Sequence, residues 1–132
     1  MNKLLNQIHS KKMSIIVALP MNSVEMAKAA EKNGADAIKT HIRMVHRASK
    51  VEFGTLEQER KALSGILESV NVPVGIVPGA ALDVSTQDIK ALVDMGFDFF
   101  DMFTHFMRPQ LFEVPGISIM GAVDSSYDLP TI

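Results

Sequence analysis

The stretch Gly34-Ala35-Asp36-Ala37-Ile38-Lys39-Thr40-His41 decides how the rest of the chain is read. Residues 25–32 before it are rich in helix formers, and Asn33-Gly34 supplies the left-handed residue that closes a helix. An apolar run of strand length starts at once, yet it ends on a lysine and a histidine. A similar phrase returns at Gly96-Phe97-Asp98-Phe99-Phe100-Asp101, again between a helical pattern and an apolar run.

Upstream, residues 2–10 can form a short helix with Leu4, Leu5 and Ile8 on one face. Residues 14–19 are a near-continuous apolar run that stops at Pro20, as suits a parallel strand buried on both faces. Asn22 followed by Glu25 predicts the cap of the next helix. Downstream, the second strand covers 35–42, and 43–54 reads as a link carrying Arg43, His46, Arg47 and Lys50. Thr55 with Gln58 makes a capping box, after which Leu56, Leu63, Ile66, Leu67 and Val70 share one helix face. A third strand follows over 72–77, ended by Pro78-Gly79. Ser85 with Asp88 caps a helix holding Ile89, Leu92 and Val93. The fourth strand is 97–103, residues 108–114 make at most two helical turns, and 117–123 is a fifth strand before turn-like residues 124–130.

Strand and helix alternating with short links means parallel strands joined by right-handed crossovers. A doubly wound, flavodoxin-like sheet wants a helix after its fifth strand and a phosphate-binding or acidic cluster after its first; neither is found. The recurring Gly-x-Asp phrase, with Ser23 and Ser85 at the same offset, instead suits a barrel built from repeated pairs of βα units. The expected fold is α/β: a partial (β/α)8 TIM barrel of about five parallel strands and three to four helices, with residues 1–132 as one domain. Since a full barrel needs roughly 200 residues or more, this would be its first half plus one strand.

Composition narrows the function. A hydrophobic share of 47% and a charged share of 21% belong to a globular chain. A net charge of −2 argues against a nucleic-acid or anionic-membrane partner. Without cysteine there is no disulfide, thiolate metal site or thiol catalysis. The amino-terminal residues have no continuous apolar core of a signal peptide, and no run approaches membrane-span length, so a cytoplasmic protein is expected.

In a barrel the active face lies at the carboxyl ends of the strands. Alternation puts Ala37, Lys39 and His41 on one side of the second strand, with branched Ile38 and Ile42 left for the helices. Phe97, Phe99, Asp101, Phe103 and His105 share a side in the fourth, and aligning the Gly-x-Asp phrases sets Asp101 at the position of Lys39. Lys39, Asp101, His41 and His105 are therefore the candidate catalytic residues. A desolvated lysine can act as nucleophile or acid/base, whereas a neighbouring aspartate would keep it charged as an electrostatic stabiliser. The alternative is a structural ion pair in the barrel mouth. Arg43, Arg47, Gly79 and Asp124 are candidate substrate-binding residues. The basic link with Arg43, His46, Arg47 and Lys50 could meet a phosphate or carboxylate, or simply be a solvated loop. The turn 78–81 could offer backbone N–H groups or be an ordinary turn. Asp124 could act as acid/base or ligand, or make an Asx turn. His41, His105 and Asp101 have donor types that suit a divalent ion but no tight spacing motif, so neither a metal nor a cofactor is expected.

Lys39-Thr40-His41 at the end of the second strand resembles the lysine-bearing strand of orotidine 5′-phosphate decarboxylases. Val72-Pro73-Val74-Gly75-Ile76-Val77 is similar to the corresponding strand of N-acetylmannosamine-6-phosphate epimerases. Both belong to the ribulose-phosphate-binding class of TIM barrels. The decarboxylases' Asp-x-Lys-x-x-Asp pattern is replaced here by Gly75-Ile76-Val77-Pro78-Gly79-Ala80, and Pro78 stands where the epimerases carry a lysine. The resemblance thus implies the superfamily and a small phosphorylated ligand. The expected function is the amino-terminal part of a TIM-barrel lyase or isomerase. The competing expectation is a catalytically silent half-barrel that self-associates through its open sheet edge, making a homo-oligomer.

Overall fold

Each Gly-x-Asp phrase is a lock between two neighbouring strands. The computed structural model describes residues 2–79 and 84–125. In it Asp36 accepts a hydrogen bond from the Ile15 N–H at 2.8 Å, and its own N–H donates to the Ile15 carbonyl at 2.8 Å. Asp98 repeats both bonds with Val74, at 2.9 and 2.8 Å. A short acceptor two residues after a helix-ending glycine thus satisfies an amide at the start of the adjoining strand and fixes its register.

In chain order the elements are α1 (Lys3–Ser10), β1 (Ile16–Ala18), α2 (Val24–Lys32), β2 (Ala37–His41), β3 (Met44–Val45) and β4 (Glu52–Phe53). Then come α3 (Leu56–Ser69), β5 (Val74–Val77), α4 (Thr86–Met95), β6 (Phe99–Phe103), two 3-10 turns (Thr104–Phe106 and Pro109–Glu113) and β7 (Ser118–Ala122). The main sheet is parallel throughout, in the order β1-β2-β5-β6-β7. Its five strands curl through 183° into a half-barrel of alternating β/α units, consistent with part of a TIM barrel. A doubly wound sheet reverses its strand order at a switch point; this sheet never does.

The two faces of β2 divide as its alternation predicts. Ile38 and Ile42 pack with Leu63, Ile66, Leu92 and Phe100 in the helix-side core. Ala37 turns inward and meets Leu4 and Phe99. Helix α1 supplies Leu4 and so closes the amino-terminal end of the half-barrel. The Asn2 side chain ties it down by donating to the Asp98 carbonyl at 2.6 Å. Gln7 donates to Asp36 at 3.0 Å, and Lys11 pairs with the same carboxylate.

Four details differ from the sequence reading. Ser23, not Asn22, caps α2 by accepting from the Met26 N–H; Asn22 is used elsewhere, at the end of β2. The link 43–54 holds an antiparallel hairpin, β3 with β4, whose two-residue strands are too short to show a period. Residues 108–114 contain only the 3-10 turn Pro109–Glu113, because Pro109 at its start and a single buried anchor, Leu111, do not sustain an α-helix. Phe97 precedes β6 and joins the helix-side core instead of facing inward with Phe99. Of the expected turns, residues 80–81 and 126–130 lie outside the described residues.

Candidate functional site

Lys39 and Asp101 occupy equivalent places in the two repeated phrases, each three residues past the locking aspartate. The curl of the sheet turns both inward, and the lysine ammonium meets the Asp101 carboxylate at 2.5 Å. Between them runs β5, where Gly75 pairs in register with Lys39 on one side and Phe99 on the other. A glycine here leaves the inner surface of β5 bare, and the Phe99 ring fills that space: a Cβ on Gly75 would lie 2.2 Å from it. Phe99 fills the apolar layer below, and the ion pair lies one layer above it, toward the carboxyl ends of the strands. The Lys39 side chain keeps 25% exposure against 6% for Asp101, so the ammonium is the member open to the cavity.

That cavity, of about 500 Å³, is lined by Lys39, His41, Arg47, Asp101, His105 and Asp124 among the predicted residues. His41 is buried in its wall, its ring 4.8 Å from that of His46 and 5.0 Å from that of Phe53. Burial, helped by the nearby charges of His46 and Lys39, lowers its pKa from 6.5 to about 4, so the imidazole is neutral at pH 7. Its Nδ1 is buried and has no hydrogen-bond partner among the described residues. The Asn22 side chain holds the backbone of His41 from both sides, donating to its carbonyl at 2.8 Å and accepting from its N–H at 3.3 Å. The same amide donates to Glu59 at 2.9 Å, which fastens the end of β2 to α3.

His105 lies in the first 3-10 turn, its ring stacked at 5.8 Å on Phe103 and tilted at 4.0 Å against Phe106. Arg47 projects from the hairpin loop at the rim, 3.7 Å from Asp124 and 5.5 Å over the Phe103 ring. Arg43 and Gly79 do not line the cavity. Arg43 pairs with Asp88 at 3.0 Å, and that bond, before the one from Ser85, holds the Asp88 carboxyl below its usual range. Gly79 packs beside Arg43 and Val84, in a positive-φ conformation that only glycine adopts freely.

His46 is the polar residue whose place the sequence did not reveal. Its Nδ1 accepts from the Ser49 N–H at 3.2 Å, and the Ser49 hydroxyl donates to the Pro20 carbonyl at 2.9 Å. The hairpin loop is thereby pinned over the cavity mouth to the end of β1. In the sequence this shows only as a histidine and a serine three residues apart; in the structure the loop closes at Lys50 with a positive φ.

The arrangement offers the Lys39 ammonium within reach of a ligand oxygen, the Asp101 carboxylate behind it, and the neutral imidazole of His41 buried in the wall nearby. Among the described residues no cluster of three or more His, Asp or Glu side chains could hold a metal ion. None of their helices is long and apolar enough to cross a membrane. No protein-family model and no curated protein matches the chain.

Proposed function

We propose that this chain is part of a TIM-barrel lyase or isomerase of the ribulose-phosphate-binding kind, acting on a small phosphorylated metabolite. The observation that carries the reading is the Lys39–Asp101 pair, set at 2.5 Å inside a cavity at the carboxyl ends of parallel strands. An ionisable pair on inward strand positions is costly to bury and is characteristic of functional sites. Where such a reaction passes through an enolate, the developing charge gathers on an oxygen. Lys39 is the group to stabilise that oxygen, Asp101 orients the ammonium, and His41 and His105 are the secondary proton-handling residues. Titration with ribulose 5-phosphate, followed by amide NMR, tests this: shifts at residues 39–41 and 101–103 are expected, and Lys39→Met should abolish them. No binding, or binding indifferent to Lys39→Met, would contradict the reading.

A second reading has its own support. Strands β1 and β7 are the sheet edges, and exposed apolar side chains flank both, Met13 and Ile15 near one and Phe112 and Val123 near the other. Such edges favour a catalytically silent half-barrel that self-associates into a homo-oligomer. Sedimentation of the chain would show a concentration-dependent oligomer in that case and a monomer otherwise.

A further inference from the structure

Side chains two residues apart on β6 stack in layers inside the half-barrel. Phe99 fills the lowest layer, Asp101 with Lys39 the next, and Phe103 the one nearest the mouth. Phe103 is a platform: the Arg47 guanidinium lies 5.5 Å over its ring, and the His105 ring stacks on it at 5.8 Å. Arg47 is thereby placed one layer above Lys39, about 7 Å further along the strand direction. Both line the same cavity of about 500 Å³.

The loop that carries Arg47 is fixed on its other side, where His46 accepts from the Ser49 N–H and the Ser49 hydroxyl donates to the Pro20 carbonyl. The guanidinium is held in place, yet most of its hydrogen-bonding capacity is unspent. Among the described residues it meets only the Phe103 ring and Asp124, and the latter at 3.7 Å, longer than a hydrogen bond. Asp124 is 30% exposed, so its carboxylate regains water when the guanidinium turns to another anion. A phosphate offers the planar fork parallel charge-assisted bonds, which a carboxylate at 3.7 Å does not.

We infer that the ligand's phosphate is bound by Arg47 on the Phe103 platform, with its carbonyl oxygen one layer below at Lys39. The inference rests on the proposed ligand site at Lys39 and adds where the phosphorylated end lies. It selects a short-chain sugar phosphate with carbonyl and phosphate toward opposite ends, so that the carbon chain bridges the two layers. The imidazoles that line the cavity, His41, His46 and His105, give its hydroxyls polar surroundings.

The whole 132-residue chain is titrated with ribulose 5-phosphate and followed by amide shifts at 39–41 and at 46–49. Both sets should move in the unaltered chain. Arg47→Gln should weaken binding about tenfold without lowering the urea midpoint, because the side chain is exposed. Arg47→Lys keeps the charge but not the fork, and should recover only part of the affinity. Shifts confined to 39–41, with Arg47→Gln binding as tightly as the unaltered chain, would leave the Lys39 site standing and overturn the phosphate assignment. Movement of neither set would contradict both. Should Arg47→Gln not fold, the presence or absence of shifts at 46–49 in the unaltered chain decides.

Discussion

Gly75 is a glycine because of a ring one strand away. Its Cβ position is taken by Phe99, which is fully buried against Leu4 and Ala37, so neither partner can retreat. Gly75→Ala should therefore destabilise the fold by about 2 kcal/mol, read as a lower urea midpoint. His41 makes a pH prediction with a fixed sign. Unfolded, it takes a proton near its ordinary 6.5; folded, only near 4. Between those values the unfolded state binds more protons, so stability falls as pH drops from about 6.5 to 4 and this contribution then levels off. The full effect is about 3 kcal/mol. His41→Gln should flatten that part of the stability–pH curve; an unchanged slope would mean that the native imidazole titrates freely.

Helix α1 is held by contacts that converge on Asp36, which also locks β1 to β2. The Lys11 ammonium, then the Ile15 N–H and Gln7, lower the Asp36 pKa from 3.8 to about 2. A depressed carboxylate stabilises above its unfolded pKa and loses that contribution as pH falls toward its folded one. Docking of α1 should therefore loosen between pH 4 and pH 2, seen as faster amide exchange at residues 4–8. Asp36→Asn should show the loosened state already at pH 7. The sequence announced α1 as an amphipathic helix but could not say where its apolar face would go, since Leu4 fits any apolar surface. The hairpin was hidden for a different reason: strands of two residues carry no period, and its anchor, Ser49 to Pro20, joins residues far apart in sequence. By contrast the caps at Thr55 and Ser85 and the stop at Gly96 were legible, because each uses local chemistry.

The half-barrel was legible because its repeat is chemical as well as rhythmic. Gly-x-Asp followed by an ionisable residue three positions on appears twice, and the two copies meet across one intervening strand. What the sequence withheld was the division of labour within each copy: the first aspartate locks strands together, and only the later residue faces the cavity. Arg43 shows the converse, since a basic residue in a loop beside the site is used to clamp α4. A cavity that sets the Lys39–Asp101 pair beneath the hairpin is a property of the curled sheet and the hairpin together, and no single segment encodes it.

The site exists only if the curl of the sheet brings Lys39 against Asp101 across β5. A double-mutant cycle with Lys39→Met, Asp101→Asn and the pair, measured by urea unfolding, tests this contact most directly. The structure predicts a coupling of about 1.5 kcal/mol or more, because Lys39→Met leaves the buried Asp101 carboxylate without its partner and Asp101→Asn leaves a half-buried ammonium without its counter-charge. Additivity within about 0.5 kcal/mol would mean that the two side chains do not meet, and would contradict the account.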